Sequence, residues 1–359
     1  MSLWLKEQSV LCSESMKIEK QIFHLASSSD FDRCAMETFH YQAQHNLIYK
    51  KYLELLKCNP EAIQIISEIP FLPIEFFKTH EVTVQHQPLT NLRSAGQASN
   101  HLPTAIGTRT FTSSGTTGQE VSKHIVNDIS IYEKSFRKGF EMFYGPAADY
   151  CILALLPSYL ERKGSSIVYM MDALIKDSQH PQSGFYLDDF DKLHGVLKLM
   201  REKKQKTLLL GVTYALLDFA EQHQIDFPSL IVMETGGMKG KREEMIRSEV
   251  HEILKKGFGV EHIHSEYGMT ELLSQAYSKG EGIFNSPPWM KLIIHQQHDL
   301  FSEEETGKTG VISVIDLANI HSCAFITTQD VGRVHADGSF EVLGRTDFSD
   351  VRGCNLMVE

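Results

Sequence analysis

Three short apolar runs constrain the fold of this chain most: Tyr150–Leu156, Thr207–Val212 and Leu230–Glu234. None alternates apolar with polar residues, so each reads as a strand buried on both faces. Helical patterns surround them, at Asp128–Phe143, Val168–Ile175, Asp188–Lys204 and Ala215–Gln222, with a charged one at Lys241–Gly257 and a short strand at His262–His264. Strands alternating with helices predict an α/β fold, its mostly parallel sheet covered by helices on both faces.

The flanks read differently. Apolar positions Phe39, Ala43, Leu47, Tyr52, Leu55 and Leu56 recur at helical spacing within an amphipathic stretch from Phe31 to Cys58, and Asn59-Pro60 breaks it. An extended, proline-containing segment follows at Ile69–Pro73, and Glu81–His101 is polar loop or edge strand. After Gly280, strands at Met290–His295, Gly310–Leu317, Phe325–Thr328 and Phe340–Leu343 predict a small β-rich subdomain. Three regions are expected: 1–105, helical; 106–280, the α/β core; and 281–359, β-rich.

Of 359 residues, 42% are hydrophobic and 23% charged, and the formal net charge is -11. That acidity argues against nucleic acid as the main partner, since phosphate neutralisation needs excess Lys and Arg. No signal peptide is evident in the first residues, and Tyr150–Leu156 is too short to span a bilayer. The 6 cysteines form no C-x-x-C pair, so neither a zinc site nor a disulfide framework is indicated, and a cytoplasmic setting is expected. His262 and His264 alternate on one strand, which places one of them against the core, hydrogen-bonded there.

Four segments carry candidate chemistry. Thr112, Ser113, Ser114, Gly115, Thr116, Thr117 and Gly118 pack hydroxyls and unencumbered N–H groups into one loop, as phosphate binding requires; alone, such a run is more often a solvated turn. Gly236 and Gly237 follow a buried strand, where an α/β sheet binds ligands, though ordinary strand-to-helix turns look the same. Tyr267, Gly268, Thr270 and Glu271 offer a ring face, close approach, a hydroxyl and a carboxylate for a divalent cation, or else simply a capped helix start. Asp330 suits vicinal ribose hydroxyls, and Arg345 a phosphate or sugar.

In this order the four segments resemble the adenylate-forming superfamily. Tyr267–Glu271 is similar to its Y-G-x-T-E signature, Thr328-Gln329-Asp330 to its T-G-D element with Gln329 replacing glycine, and Gly344–Asp347 through Arg352-Gly353 to its hinge segment. Within it, Ile69–Pro73, Phe76-Phe77-Lys78 and Leu209–Thr213 resemble the acyl-protein synthetase (LuxE) family. The resemblance implies the superfamily's large-domain fold without the small C-terminal domain, because the chain stops at Glu359 inside the hinge-like segment. It also implies ATP and Mg²⁺ as cofactors. The loop and Thr270 would meet phosphates, Glu271 the Mg²⁺, Gly236, Gly237 and Tyr267 the adenine, and Asp330 with Arg345 the ribose.

The implied reaction is ATP-dependent activation of a carboxylic acid, of the fatty class, as an acyl-adenylate. Acyl transfer to a protein thiol follows, its own Cys354 or a reductase or carrier partner; Cys354 as a small buried filler is the competing reading. Thr270, Glu271, Arg345 and Cys354 are the expected catalytic residues. A carboxylate–CoA or carrier-protein ligase, and a non-catalytic acyl- or nucleotide-binding subunit, stay open as alternatives. Lys123, Arg345 or a partner is expected to supply the charge of the superfamily's C-terminal lysine. Pro157-Ser158-Tyr159 is a candidate edge of the acyl pocket or a plain turn.

Overall fold

The computed structural model describes residues 15–84, 107–113, 121–157, 164–238, 241–243 and 245–346. A helix over 15–22 (α1) precedes α2 (Ser28–His45), α3 (Leu47–Leu55), β1 (Leu72–Pro73) and the single-turn α4 (Phe76–Thr79). Next come β2 (Arg109–Thr112), β3 (Lys123–Val126), α5 (Ile129–Tyr144), β4 (Cys151–Leu155), α6 (Ser166–Ser178), β5 (Gly184–Phe185), α7 (Phe190–Glu202), β6 (Thr207–Val212), α8 (Thr213–Gln222), β7 (Ile231–Thr235), α9 (Arg247–Phe258) and β8 (His264–Tyr267). Only strands follow as long elements: β9 (Ala276–Ser278), β10 (Ile283–Asn285), β11 (Met290–Gln296), β12 (Asp299–Glu303), β13 (Gly310–Asp316), β14 (Phe325–Val334) and β15 (Phe340–Arg345).

Strands β5, β4, β6, β7 and β8 run parallel, as the apolar runs predict. Every residue of β4 and β6 is buried, because helices cover both faces. The Tyr144 hydroxyl of α5 and His264 Nδ1 share a hydrogen bond of 3.2 Å on one face, so His264 is the histidine of its pair that meets the core. On the other face Thr213, at the start of α8, donates to Glu234 at 2.8 Å, and Phe219 of α8 stacks on Phe258 of α9.

From β8 the sheet continues antiparallel through β9, β10, β15, β14, β13, β11 and β12, giving 13 strands in one sheet. The thirteenth is β1, which pairs parallel with β14 through Leu72↔Ile326. Chain from both ends therefore meets beside β14.

Three expected boundaries shift. The long N-terminal helix is two helices, because Asn46 turns its side chain to cap α3, accepting from the Ile48 and Tyr49 N–H groups, and donates to the Ser322 carbonyl at 2.8 Å. The charged helix begins at Arg247 rather than Lys241; Arg242 is drawn instead to Asp218 at 2.6 Å and Glu221 at 2.6 Å on α8. The short strand at His262 is His264–Tyr267, since its register with β7 starts at Met233↔His264. Among the described residues no helix is long and apolar enough to cross a membrane.

Candidate functional site

The expected nucleotide residues gather at the carboxyl-terminal ends of β7 and β8 and along β14, where open α/β sheets bind ligands. β7 ends in Thr235, and Gly236 and Gly237 follow with φ of 73° and 63°, a left-handed pair that a side chain strains to adopt. A Cβ on Gly237 would meet nothing within 4 Å among the described residues, so that backbone faces open space.

β8 delivers Tyr267, which is 8% exposed and packed edge-on against Phe284 and Phe340. Its hydroxyl donates to Asp330 Oδ2 at 2.9 Å, and Arg345 Nε donates to Asp330 Oδ1 at 3.1 Å. Asp330 and Arg345 are direct cross-strand partners on β14 and β15. The Asp330 N–H donates to Thr328 Oγ1 at 3.0 Å, which fixes the aspartate further. Burial, then the Asp330 charge, push the Tyr267 phenol well above its ordinary range, so it stays a donor. Arg345 is 78% exposed, its guanidinium largely presented to solvent.

Gly268 follows directly, and its lack of a side chain is required: a Cβ there would lie 2.4 Å from Glu266 Oε1. That carboxylate is buried and takes a hydrogen bond from Thr235 Oγ1 at 2.6 Å. Thr270 and Glu271 then sit in a turn, not at a helix start. Glu271 is 5% exposed. Burial raises its pKa, opposed by the Ser122 hydroxyl and by the charges of Lys78 and Arg345.

The loop's ends are fixed as a hairpin. β2 and β3 pair from Arg109↔Val126 to Thr112↔Lys123, and beyond them the Ser113 N–H donates to the Ser122 carbonyl at 3.1 Å while the Ser122 N–H donates to Ser113 Oγ at 2.9 Å. Thr112 and Ser113 are thus the described members of the loop. Ser114, Gly115, Thr116, Thr117, Gly118 and Cys354 lie outside the described residues, as do Ser158 and Tyr159. Lys123 is exposed on the outer side of its strand.

Three further residues join these segments and carry little signal in the sequence. His124, next to Lys123, hydrogen-bonds the Thr270 carbonyl at 2.8 Å. Asn319 donates to the Glu271 carbonyl at 2.8 Å. Gln329, in the place of the usual glycine, donates to Glu75 ahead of α4, and its carbonyl accepts from the Thr346 N–H at 2.8 Å. Gln329 is marked beforehand by its place in the Thr328-Gln329-Asp330 element, whereas nothing beyond polarity marks His124 and Asn319.

Among the described residues no three His, Cys, Asp or Glu cluster as a protein-only metal cage. The donor set fits Mg²⁺ nonetheless, because that ion is ordinarily held by one or two carboxylates completed by water and substrate phosphates. Glu271 would be that carboxylate.

Over 354 residues the chain is 22% identical to the long-chain-fatty-acid–luciferin-component ligase of Aliivibrio fischeri, covering 90% of this chain and 86% of that one. Its fold is similar to that of 2-hydroxyisobutyryl-CoA ligase, solved in an open conformation with 2-HIB-AMP and CoA, at a TM-score of 0.61 and 10% identity, over 89% of this chain and 71% of the ligase. It is also similar to ATP-bound MatB from Rhodopseudomonas palustris, at 0.50 and 15%, over 66% of this chain and 47% of MatB, so the matched region spans about half the length of that protein. The large-domain fold implied by the motifs is therefore present. A model of the family described as acyl-protein synthetase, LuxE, matches residues 24–359, nearly the whole sequence, and the chain belongs to that family of ligases.

Proposed function

We propose that this acyl-protein synthetase uses ATP and Mg²⁺ to activate a carboxylic acid of the fatty class and then passes the acyl group to a protein thiol. One observation carries the reading: hydrogen bonds tie three of the four segments together, with Tyr267 and Arg345 on Asp330, and His124 joining the loop hairpin to Thr270.

In the first step a carboxylate oxygen attacks the α-phosphorus of ATP; the bond to the bridging oxygen breaks and pyrophosphate leaves with that electron pair. Asp330 would accept hydrogen bonds from the ribose hydroxyls while Arg345 and Tyr267 hold it in place. The space over Gly237 and Gly236 would receive the base. Thr112, Ser113, the rest of the loop and Thr270 would donate to phosphate oxygens, and Mg²⁺ on Glu271 would offset charge on the phosphates. The positive fields of Lys78 and Arg345 reach Glu271 and would add to that offset. In the second step a thiolate attacks the acyl carbon and AMP leaves. Cys354, with Arg352 beside it in sequence to favour the thiolate, is our candidate acceptor; a reductase or carrier protein is its onward partner.

ATP–pyrophosphate exchange over a panel of carboxylic acids, with and without CoA, tests the reading. Acid-dependent exchange followed by hydroxylamine-sensitive labelling of the protein supports it. Exchange with CoA-dependent acyl release and no protein label makes the chain a CoA ligase, and no exchange with any acid makes it a binding subunit. Full labelling of Cys354→Ser moves the acceptor elsewhere.

A further inference from the structure

His124 is fully buried, yet it sits one residue from exposed Lys123 on a two-stranded hairpin, an unusual place for a buried polar ring. Its Nδ1 is 2.8 Å from the Thr270 carbonyl, in a different part of the fold. A carbonyl oxygen only accepts, so Nδ1 carries the proton. Among the described residues the buried Nε2 has no hydrogen-bond partner, while Phe77 of α4 lies edge-on against the ring at 5.5 Å. Burial lowers the ring's pKa to about 4, so it is neutral at physiological pH and holds one tautomer.

The bonded carbonyl belongs to the peptide between Thr270 and Glu271. The next carbonyl, that of Glu271, is held from the other side by Asn319, which is itself buried. Two residues before His124, Ser122 closes the mouth of the loop by its paired bonds with Ser113, and its hydroxyl faces the Glu271 carboxylate. The hairpin therefore reaches the Thr270–Glu271 turn by two residues of one strand. Leaving a buried ring nitrogen without a partner is costly, and the Thr270 bond is the one hydrogen bond that His124 gains in exchange.

We propose that His124 is a positioning residue that ties the phosphate-loop hairpin to the Thr270–Glu271 turn, so that the hydroxyl and carboxylate of that turn hold a fixed distance from the loop. The proposal rests on the adenylation reading for its catalytic consequence. The tie itself is a property of the folded protein alone. The donor must occupy the Nδ1 place: asparagine presents its amide N–H there, whereas glutamine presents it near the Nε2 place.

The test compares His124→Asn with His124→Gln by three measurements. In ATP–pyrophosphate exchange, His124→Gln is expected to lose kcat by roughly 10–100-fold, the usual effect of removing a residue that orients a ligating group, while His124→Asn stays within about threefold of the parent. In hydrogen exchange without nucleotide, the Glu271–Leu273 amides are expected to lose protection in His124→Gln and keep it in His124→Asn. In the ¹⁵N-histidine spectrum of the unaltered protein, His124 is expected as the Nδ1–H tautomer. An Nε2–H tautomer, equal protection in both folded variants, or equal exchange rates in both overturns the proposal. If the unaltered protein exchanges no pyrophosphate with any acid, the adenylation reading fails while the other two measurements still decide the tie.

Discussion

The Tyr267 hydroxyl lies 2.9 Å from Asp330, joining the parallel half of the sheet to its antiparallel half by one charged hydrogen bond between β8 and β14. Bonds to an ionised acceptor are roughly twice as strong as neutral ones, and this acceptor also holds Arg345. Asp330→Asn keeps the shape and removes the charge. We expect the KM for Mg·ATP in pyrophosphate exchange to rise roughly 10–100-fold, matching a loss of about 1.5–3 kcal/mol, with a melting temperature close to the parent's. An unchanged KM would remove Asp330 from nucleotide binding.

Burial raises the Glu271 pKa, so its carboxyl holds a proton to a higher pH than an exposed glutamate does. Activity that depends on the carboxylate is then lost on the acid side sooner than an ordinary glutamate allows. Because the cation competes with that proton, raising the Mg²⁺ concentration is expected to move the acid limb of the exchange rate to lower pH. Glu271→Gln should lose both the limb and its Mg²⁺ response, together with most of the rate. An acid limb indifferent to Mg²⁺ would place the cation elsewhere.

Asp316 is fully buried and accepts from the N–H groups of Leu273, Ser274 and Ala318 and from the Ser274 hydroxyl, yet desolvation still raises its pKa to about 6, from an ordinary value of 3.8. The folded protein holds this proton more tightly than the unfolded chain does. The resulting stabilisation is fully present below about pH 4 and is lost as pH rises through 6. The shift corresponds to roughly 3 kcal/mol. Chemical denaturation of the parent and of Asp316→Asn between pH 4 and 7 should show a difference that changes by that order across the window. A pH-independent difference would contradict the raised value.

Gln42, buried on α2, donates to the Asn319 and Ile320 carbonyls at 2.8 and 3.0 Å and accepts from the Ala324 N–H at 2.9 Å. Gln42→Ala leaves the buried Ile320 carbonyl and Ala324 N–H without that partner, while the Asn319 carbonyl keeps the Ser322 N–H at 2.9 Å, and we expect a loss of roughly 2–3 kcal/mol in urea titration. Since the donor Asn319 shares this turn, the Glu271 carbonyl should loosen too, seen as a fall in exchange rate below the melting transition. A variant as stable as the parent would show that water replaces the amide.

What the sequence made legible follows a physical divide. β6 falls on Thr207–Val212 as read, because a strand buried on both faces must be apolar throughout. The strand-end places of Tyr267 and the paired glycines are legible because they follow buried apolar runs, whereas Asp330, expected at a strand end, lies within β14, whose pairing with β15 carries the strand on to Val334. The start of α9 is not legible, since a charged amphipathic pattern runs from Lys241, while Arg242 is drawn instead toward Asp218 and Glu221 and the helix begins at Arg247. His124 is invisible for a similar reason: its partner is a backbone carbonyl 146 residues away, and no side chain marks a carbonyl. Asp316 reads only as a member of the strand at Gly310–Leu317, because its partners Leu273 and Ser274 lie more than 40 residues away in sequence.

The pairing of β1 with β14 bears on how the protein is made. Leu72 leaves the ribosome about 250 residues before its partner Ile326. At a synthesis rate of about 5–20 residues per second, the buried faces of α2 and α3 wait roughly 10–50 s for the strand that covers them. During that interval Phe39, Tyr49 and Phe71, which in the finished molecule surround Phe325, are exposed apolar surface on a nascent chain. β14, which carries Asp330, thus joins the sheet late, and the length of that exposed interval is set by where β14 lies along the gene.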